Sequence, residues 1–123
     1  MYNSALICLG ANDADASEQI VNTSTFLESL GEVWKATPIY PSDAEYAGDS
    51  APYLNRLVIL KTYHDYEALL SATKQYESGV RARAHQRYVA IDIDIVEWNG
   101  AIMRPADAAA RYFRKGLNLF NIK

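Results

Sequence analysis

Cysteine is scarce in this sequence. Cys8 is the single cysteine among 123 residues, and it lies inside the apolar run 5–9. One cysteine cannot form an internal disulfide, so nothing here indicates an oxidising compartment. No positively charged residue adjoins Cys8 to activate its thiol, which favours a buried structural side chain over a catalytic nucleophile.

Long apolar runs and an excess of positive charge are also missing. No run approaches the roughly 20 apolar residues that span a bilayer, and the N-terminus lacks the pattern of a secretory signal. The net charge of −3 and the pI near 5.3 argue against a general binder of nucleic acid or anionic membranes. We therefore expect a cytoplasmic protein without nucleic-acid or membrane partners, present as a monomer or a weak dimer.

The composition is that of a soluble globular protein, with 50% hydrophobic and 22% charged residues. A length of 123 residues suits one domain with one core. Hydrophobic periodicity and turn signals predict alternating strands and helices. The predicted strands cover 5–9, 32–40, 53–63 and 91–96, and the predicted helices cover 15–30, 65–79 and 105–115. A capping box over 15–18 opens the first helix, a polar loop follows the second near Gly79, and 99–100 form a turn.

This order is β-α-β-β-α-β followed by a C-terminal helix. Right-handed crossovers favour a split βαβ arrangement, in which one antiparallel sheet carries both crossover helices on one face. We therefore predict an α+β, ferredoxin-like domain over residues 1–123. Such a fold hosts many functions, so the function must be argued from the site.

The most informative stretch of the sequence is 91–96, which alternates isoleucine with aspartate. A period of two places Asp92 and Asp94 on one face of a strand, about 6–7 Å apart at Cα. Two such carboxylates suit Mg²⁺, which takes one or two carboxylates and completes its shell with substrate phosphates. The alternative is the hydrated face of an ordinary strand, although aspartate is depleted in strands.

Two further segments carry polar groups that suit ligands. The basic cluster 81–87, with Arg81, Arg83 and Arg87, precedes the aspartate strand, and arginine forks suit phosphate oxygens. The alternative is a solvated loop. Asn55 follows the polar loop 41–52 and offers a donor and an acceptor to a heterocycle edge. On local grounds, Asn55 could equally satisfy the loop backbone.

In these segments the chain resembles the 6-hydroxymethyl-7,8-dihydropterin pyrophosphokinases of folate biosynthesis. The stretch 5–12 resembles the opening strand and turn of that family, and 53–55 resembles its Phe/Tyr-Leu-Asn segment. Lys74, Glu77 and the Arg81-x-Arg83 pair resemble the helix end and arginine loop that handle ATP. The stretch 92–95 resembles the family's Asp-x-Asp magnesium signature, and 111–113 resembles its Arg-x-Phe segment.

The resemblance implies transfer of the pyrophosphoryl group of ATP to the hydroxymethyl oxygen of the pterin, with release of AMP. It also implies roles for individual residues. Asp92 and Asp94 would hold one or two Mg²⁺ ions, and Arg81 and Arg83 would act in catalysis. The pterin would be bound by Ser42, Tyr53, Asn55 and Phe113. The ATP would be bound by Lys74, Arg81, Arg83, Arg87 and Arg111.

The sequence departs from the family pattern at three places. The family's Gly-Pro-Arg before the aspartate strand is replaced by 88–90, so that Arg87 is the nearest arginine. The family's Pro-His appears as Pro105-Ala106, without the histidine, and 41–43 replaces Arg-Thr-Pro-Pro. The region after the last helix is short. Two alternatives to the enzyme follow: a non-catalytic relative that binds pterin or nucleotide, and an unrelated interaction module with an exposed aspartate pair.

Overall fold

The computed structural model describes residues 2–42, 52–83 and 89–120, with the backbone alone at 82 and 83. The strands and helices follow one another as β1 (Asn3–Ala11), α1 (Ala16–Glu28), β2 (Glu32–Ala36), β3 (Tyr40–Ser42), β4 (Tyr53–Thr62), α2 (Tyr66–Arg83), β5 (Asp92–Trp98), β6 (Ala101–Ile102), α3 (Pro105–Ala108) and α4 (Arg111–Phe120). Within these ranges no helix combines the length and apolar character needed to cross a membrane.

The strands form one sheet in the order β2-β4-β1-β5-β6, and β3 also pairs with β4. The five strand pairs found among the described residues are all antiparallel. As a result β1 and β2 run in the same direction with β4 between them, and β4 and β5 do so with β1 between them. The chain is therefore α+β, with α1 and α2 connecting pairs of parallel but non-adjacent strands.

Each face of the sheet buries its own apolar cluster. The larger cluster contains Ile7 and Leu9 of β1 and Ile93 and Ile95 of β5, which pack against α1 and α2. The two helices contribute side chains such as Ile20, Leu27, Leu69 and Val80. The smaller cluster on the opposite face consists of Cys8, Leu57, Val96 and Phe113, with residues of α3 and α4 packed against it. Cys8 is 4% exposed, as predicted for a structural thiol.

Gly116 sets the distance between α4 and the sheet. A Cβ atom at this position would lie 2.3 Å from Tyr40 Oη and 2.6 Å from two side-chain carbons of the fully buried Leu57. The Tyr40 hydroxyl also donates to the Tyr112 carbonyl oxygen at 2.8 Å. The missing side chain at Gly116 therefore lets α4 seat directly on β3 and β4.

Three predicted elements differ most from those observed. The strand predicted over 32–40 is two strands, since Pro38 has no N–H to donate to a ladder. Helix α2 runs on to Arg83 instead of ending near Gly79, because Val80 is buried and extends its apolar stripe. The closing helix is divided into α3 and α4. Helix α3 buries no residue, and the change of direction after it allows α4 to bury Phe113 and Gly116.

The capping box predicted over 15–18 does not form. Asp15 is the N-cap of α1 but makes no side-chain cap hydrogen bond. Its Oδ2 instead accepts from Gln19 Nε2 at 3.0 Å. The turn at 99–100 is confirmed: Asn99 and Gly100 have positive φ values of 51° and 86°, and β5 and β6 pair across them.

The outer strand β2 is interrupted at Trp34. Val33 pairs with Leu60 and Lys35 with Ile59, so the register shifts across Trp34. The Nζ atoms of Lys35 and Lys61 lie 5.0 and 4.6 Å from the centre of the Trp34 ring. The bulge therefore leaves Trp34, which is 52% exposed, between two ammonium groups.

Candidate active site

Strand register brings the predicted site residues into two rows across the sheet. Gly10 of β1 pairs with Asn55 on β4 and with Asp92 on β5. One step along, Cys8 pairs with Leu57 and with Asp94. Neighbouring strands lie about 4.8 Å apart, so Asn55 and Asp92 are about 10 Å apart at Cα. Gly10 has no side chain to fill the space between them, and a cleft opens there.

The cleft encloses about 140 Å³. Its lining combines sheet residues with residues of the chain that follows β6: Cys8, Gly10, Ser42, Tyr53, Asn55, Asp92, Asp94, Arg104, Asp107 and Tyr112. Five of the predicted site residues are thus brought together: Ser42, Tyr53, Asn55, Asp92 and Asp94. The alternation predicted for β5 is confirmed, since its isoleucines are buried on the helix face and its aspartates border the cleft.

Burial makes ionisation of the two aspartates less favourable than in water. Burial raises the pKa of Asp92 to about 6, and the negative charges of Asp94 and Glu77 add to the effect. Burial also raises the pKa of Asp94, although the positive charges of Arg104 and Lys74 oppose the shift. A cation bound between the two carboxylates would therefore stabilise their ionised forms.

Lys74 and Glu77 of α2 bind the backbone between the two aspartates. Glu77, which is 5% exposed, accepts a short hydrogen bond from the backbone N–H of Ile93. Lys74 Nζ donates to the Ile93 carbonyl oxygen at 3.0 Å and to Glu77 Oε2 at 3.2 Å. It also lies 3.7 Å from Asp94 Oδ1. These two side chains thus take the place of a neighbouring strand at this edge of β5.

Arg104, Asp107 and Tyr112 line the cleft although the sequence reasoning did not select them. The turn at 99–100 could have indicated Arg104. Glu97 pairs with Ile102 across that turn, and continuing this register brings Arg104 back alongside β5. Arg104 Nη2 lies 3.7 Å from Asp94 Oδ1. No comparable signal exists for Asp107 or Tyr112, whose positions depend on how α3 and α4 pack.

Asn55 forms the end of the cleft opposite the aspartates and is 3% exposed. Its Nδ2 donates to Ser42 Oγ at 2.7 Å and to the Tyr40 carbonyl oxygen at 3.4 Å. Its Oδ1 lies 3.4 Å from the position of a Cβ atom at Gly10, so this acceptor faces the cleft. The amide therefore holds β3 in place, and its oxygen remains on the side of the cleft.

Two predicted residues of α4 lie away from the cleft. Phe113 is 1% exposed and packs in the core with Leu57 and Val96, and its neighbour Tyr112 lines the cleft instead. Arg111 is exposed and borders a second cavity of about 290 Å³. That cavity is lined by Pro41, Ser42, Pro52, Arg111, Tyr112 and Lys115, so it shares a wall with the cleft.

The predicted arginine loop begins later than expected. Arg81 lies on the last turns of α2 and is exposed. Its positive charge opposes the rise in the pKa of Asp92 that burial causes. The backbone of Arg83 ends the same helix, but its side chain lies outside the described residues, as does the whole of Arg87. Of the predicted ATP-binding groups, Lys74 and Arg81 are therefore close to the aspartates, and Arg111 lies at the adjoining cavity.

The donors at Asp92 and Asp94 fit Mg²⁺. They are hard carboxylate oxygens with raised pKa values, and they face an open cleft. In the described ranges no group of three or more His, Cys, Asp or Glu side chains could hold a metal ion. A metal bound here would therefore take two protein carboxylates and complete its shell with water and ligand oxygens, as Mg²⁺ does at phosphate sites.

Comparison with known families gives one match. The sequence model of the 7,8-dihydro-6-hydroxymethylpterin-pyrophosphokinases matches residues 6–118, which is nearly the whole chain. No curated protein matches the chain at a significant level. The matched range includes every residue of the cleft.

Proposed function

Because this chain belongs to the family of 7,8-dihydro-6-hydroxymethylpterin-pyrophosphokinases, we propose that it transfers pyrophosphate from ATP to 6-hydroxymethyl-7,8-dihydropterin. The reaction depends on Mg²⁺, releases AMP and serves folate biosynthesis. The family's members are pyrophosphokinases.

One observation carries the proposal. The row Asn55–Gly10–Asp92 has a hydrogen-bonding amide at one end, a carboxylate at the other and a glycine gap between them. A flat heterocycle bound over Gly10 reaches Asn55 with its polar edge and directs its substituent toward the aspartates. This is the geometry required to present a hydroxymethyl group to a metal-bound polyphosphate.

The residues of the chain then divide into two sets. Asn55, with Ser42 behind it and Tyr53 beside it, orients the pterin. Tyr112 borders the same space, whereas Phe113 acts from the core by supporting α4. Orientation of this kind turns an encounter of two substrates into a reaction within one complex.

The second set binds ATP and neutralises phosphate charge. Asp92 and Asp94 would hold one or two Mg²⁺ ions, and Arg104 and Arg81 lie where they can absorb the charge on the phosphate oxygens. We assign Arg83, Arg87 and Arg111 to the same task, and Lys74 to the boundary between ATP and Asp94. Asp92 and Asp94 would hold Mg²⁺ at this end of the cleft, where its positive charge would offset the negative charge of the phosphates. The protein contribution is therefore mainly positioning and electrostatics.

We also propose the domain organisation, the location and the oligomeric state of the protein. The strand order of the sheet supports a single ferredoxin-like domain over 1–123. The acidic composition supports a protein that does not bind nucleic acid. The single cysteine supports a cytoplasmic location, and we propose a monomer or a weak dimer.

A second candidate function is binding of pterin or nucleotide without turnover. It is favoured by the ion pairs of Arg104 with Asp94 and Asp107, which reduce the positive charge available to phosphate. The deciding experiment incubates the protein with ATP, Mg²⁺ and the hydroxymethyl pterin and measures AMP by chromatography. The pyrophosphokinase forms AMP and pterin diphosphate in equal amounts, and omission of either substrate or of Mg²⁺ abolishes both. Binding of both substrates without AMP would establish the second candidate instead.

The pterin end of the cleft can be tested by ligand binding alone, without turnover of ATP. Asn55→Ala is expected to weaken pterin binding by roughly 1–3 kcal/mol, because buried polar groups of the ligand lose their partner. Ser42→Ala is the matched control, since it removes the bond that holds Asn55 but leaves the amide. Calorimetric titration should show a large loss for Asn55→Ala, a small one for Ser42→Ala and unchanged binding of an ATP analogue. Equal weakening of both ligands would assign Asn55 a structural role alone.

The arginines test the phosphate end. Arg81→Ala and Arg83→Ala should lower kcat more than they weaken pterin binding, because phosphate charge is redistributed in the transition state. If Arg87 replaces the missing arginine before β5, Arg87→Ala should be as damaging as Arg83→Ala. Steady-state kinetics with pterin titrations measure both quantities. Unchanged kcat in all three variants would mean that this segment is merely solvated.

A further inference from the structure

Asp107 is an acidic side chain that lines the cleft but is not one of the proposed metal ligands. It lies on α3, and both of its carboxylate oxygens make hydrogen bonds. Oδ2 accepts a short hydrogen bond from Arg104 Nε. Oδ1 accepts from the Tyr112 hydroxyl at 2.7 Å. Asp107 therefore connects an arginine of the cleft to α4.

Arg104 is held between two carboxylates by different parts of its guanidinium group. The Nε edge contacts Asp107, while Nη2 lies 3.7 Å from Asp94 Oδ1. A guanidinium group is planar and rigid, so fixing the Nε edge fixes the direction of the Nη groups. They point to the side of the cleft where Asp92 and Asp94 lie. The Arg104 side chain is 46% exposed, so few apolar contacts would hold it there without Asp107.

Tyr112 fixes Asp107 in turn. Its hydroxyl donates to Asp107, and its backbone carbonyl accepts from Tyr40. Helix α4 is seated on the sheet through Gly116. The direction of the Arg104 guanidinium group is thus tied to the sheet through Asp107, Tyr112 and α4. A long arginine side chain held in this way loses less conformational entropy when it binds an anion.

We propose that Asp107 is a positioning residue, which holds Arg104 so that its Nη groups meet the phosphates of ATP at Asp92 and Asp94. This inference rests on the proposed function. Asp107 itself contacts neither the metal nor the substrate. A cation at the aspartates would offset the attraction between Asp94 and Arg104. The Nη groups, whose direction Asp107 fixes, would then be available to the phosphate oxygens.

Whether removal of Asp107 strengthens or weakens ATP binding distinguishes a positioning role from simple electrostatic repulsion. A carboxylate near a polyphosphate repels it, so Coulomb's law alone predicts that removing Asp107 strengthens ATP binding. Positioning predicts the opposite, because a mobile Arg104 neutralises the phosphates less well. A misplacement of about 1 Å in such a group can cost about a hundredfold in rate.

The experiment compares Asp107→Ala, Asp107→Asn and Tyr112→Phe in the full chain. Asp107→Ala should lower kcat by about 10- to 100-fold. The protein should also bind a non-hydrolysable ATP analogue with Mg²⁺ more weakly, with little change in its affinity for the pterin. Asp107→Asn should recover part of the loss, since its amide oxygen still accepts from Arg104. Tyr112→Phe should have a smaller effect of the same kind. Glu28→Ala, an exposed acidic residue on the opposite face of the sheet, controls for the change in net charge.

A second comparison keeps the inference testable if Asp107→Ala disturbs α3. In an Arg104→Ala background, Asp107→Ala should cause no further loss of kcat or analogue affinity, because the group that it positions is gone. Additive losses, or tighter analogue binding by Asp107→Ala, would overturn the inference. Analogue binding is measured without turnover. An inactive wild-type protein that binds the analogue would therefore count against the proposed function alone, and the Asp107 comparison would remain decisive.

Discussion

Asp92→Asn is expected to lower turnover at least about a hundredfold while it raises the melting temperature of the metal-free protein. The loss of activity follows because one carboxylate cannot hold the metal that neutralises the phosphates. The gain in stability follows because the pKa of Asp92 is raised from its ordinary value of 3.8 to about 6. The folded protein therefore holds this proton more tightly than the unfolded chain does, and ionisation of Asp92 destabilises the fold.

The pH dependence of that gain is a separate result. At a pH well below 3.8 Asp92 is protonated in both folded and unfolded chains, so Asp92→Asn should leave the melting temperature unchanged. The stability contributed by the Asp92 proton is lost as the pH rises through about 6. Thermal unfolding in metal-free buffer at pH 8 should accordingly show the full benefit of the substitution. Added Mg²⁺ with an ATP analogue should stabilise the wild type and reverse the order.

Asp94→Asn tests the partner carboxylate, and Glu28→Gln on α1 is an exposed control. Asp94→Asn should also lose turnover, with a smaller gain in stability, because Lys74 and Arg104 already oppose the charge of Asp94. Full activity in the Asp92→Asn, Asp94→Asn double variant would remove the basis of the magnesium assignment.

Gly116→Ala is expected to destabilise the protein by about 1–3 kcal/mol, which is the usual cost of overpacking a core. In a helix, exchanging glycine for alanine normally stabilises a protein by up to about 1 kcal/mol. A loss of stability would therefore be opposite to the effect expected from helix propensity. The reason is steric: the new Cβ atom meets Tyr40 Oη at 2.3 Å and Leu57 at 2.6 Å. Chemical denaturation monitored by circular dichroism measures the change.

Asn118→Ala is the matched control, because Asn118 is exposed on the same helix. Asn118→Ala should raise the free energy of unfolding only by the small amount expected from helix propensity. If Gly116→Ala pushes α4 outward, Tyr112 moves with it and Asp107 loses its partner, so kcat should fall together with stability. A Gly116→Ala protein as stable as Asn118→Ala would mean that α4 is not seated through this contact.

The sequence allowed much of the aspartate strand to be predicted, because its pattern is local. Alternating Ile and Asp residues fix which side chains are buried, and the Asn99-Gly100 turn fixes where β5 ends. The α+β class with an antiparallel sheet was predictable from the order of the strands and helices. The family relationship was also predictable, since its motifs recur along the chain in order.

Features that depend on packing between distant elements could not be predicted in this way. Phe113 and Tyr112 are adjacent, and which of them faces the core depends on how α4 meets Leu57. The end of α2 was misplaced because Gly79 indicated a stop, whereas burial of Val80 extends the helix. The bonds of Asp107 join α3 to α4, and no periodicity encodes such a pair.

The bulge at Trp34 has a consequence for how copies of this protein meet one another. A regular outer strand offers an unbroken row of N–H and C=O groups, to which an identical strand from another molecule can add. In β2 that row changes register in the middle, and the ammonium groups of Lys35 and Lys61 lie over the exposed indole. A second molecule approaching this edge would meet a kinked strand and two like charges. The same irregularity that exposes a tryptophan therefore disfavours the addition of a further strand at this edge of the sheet.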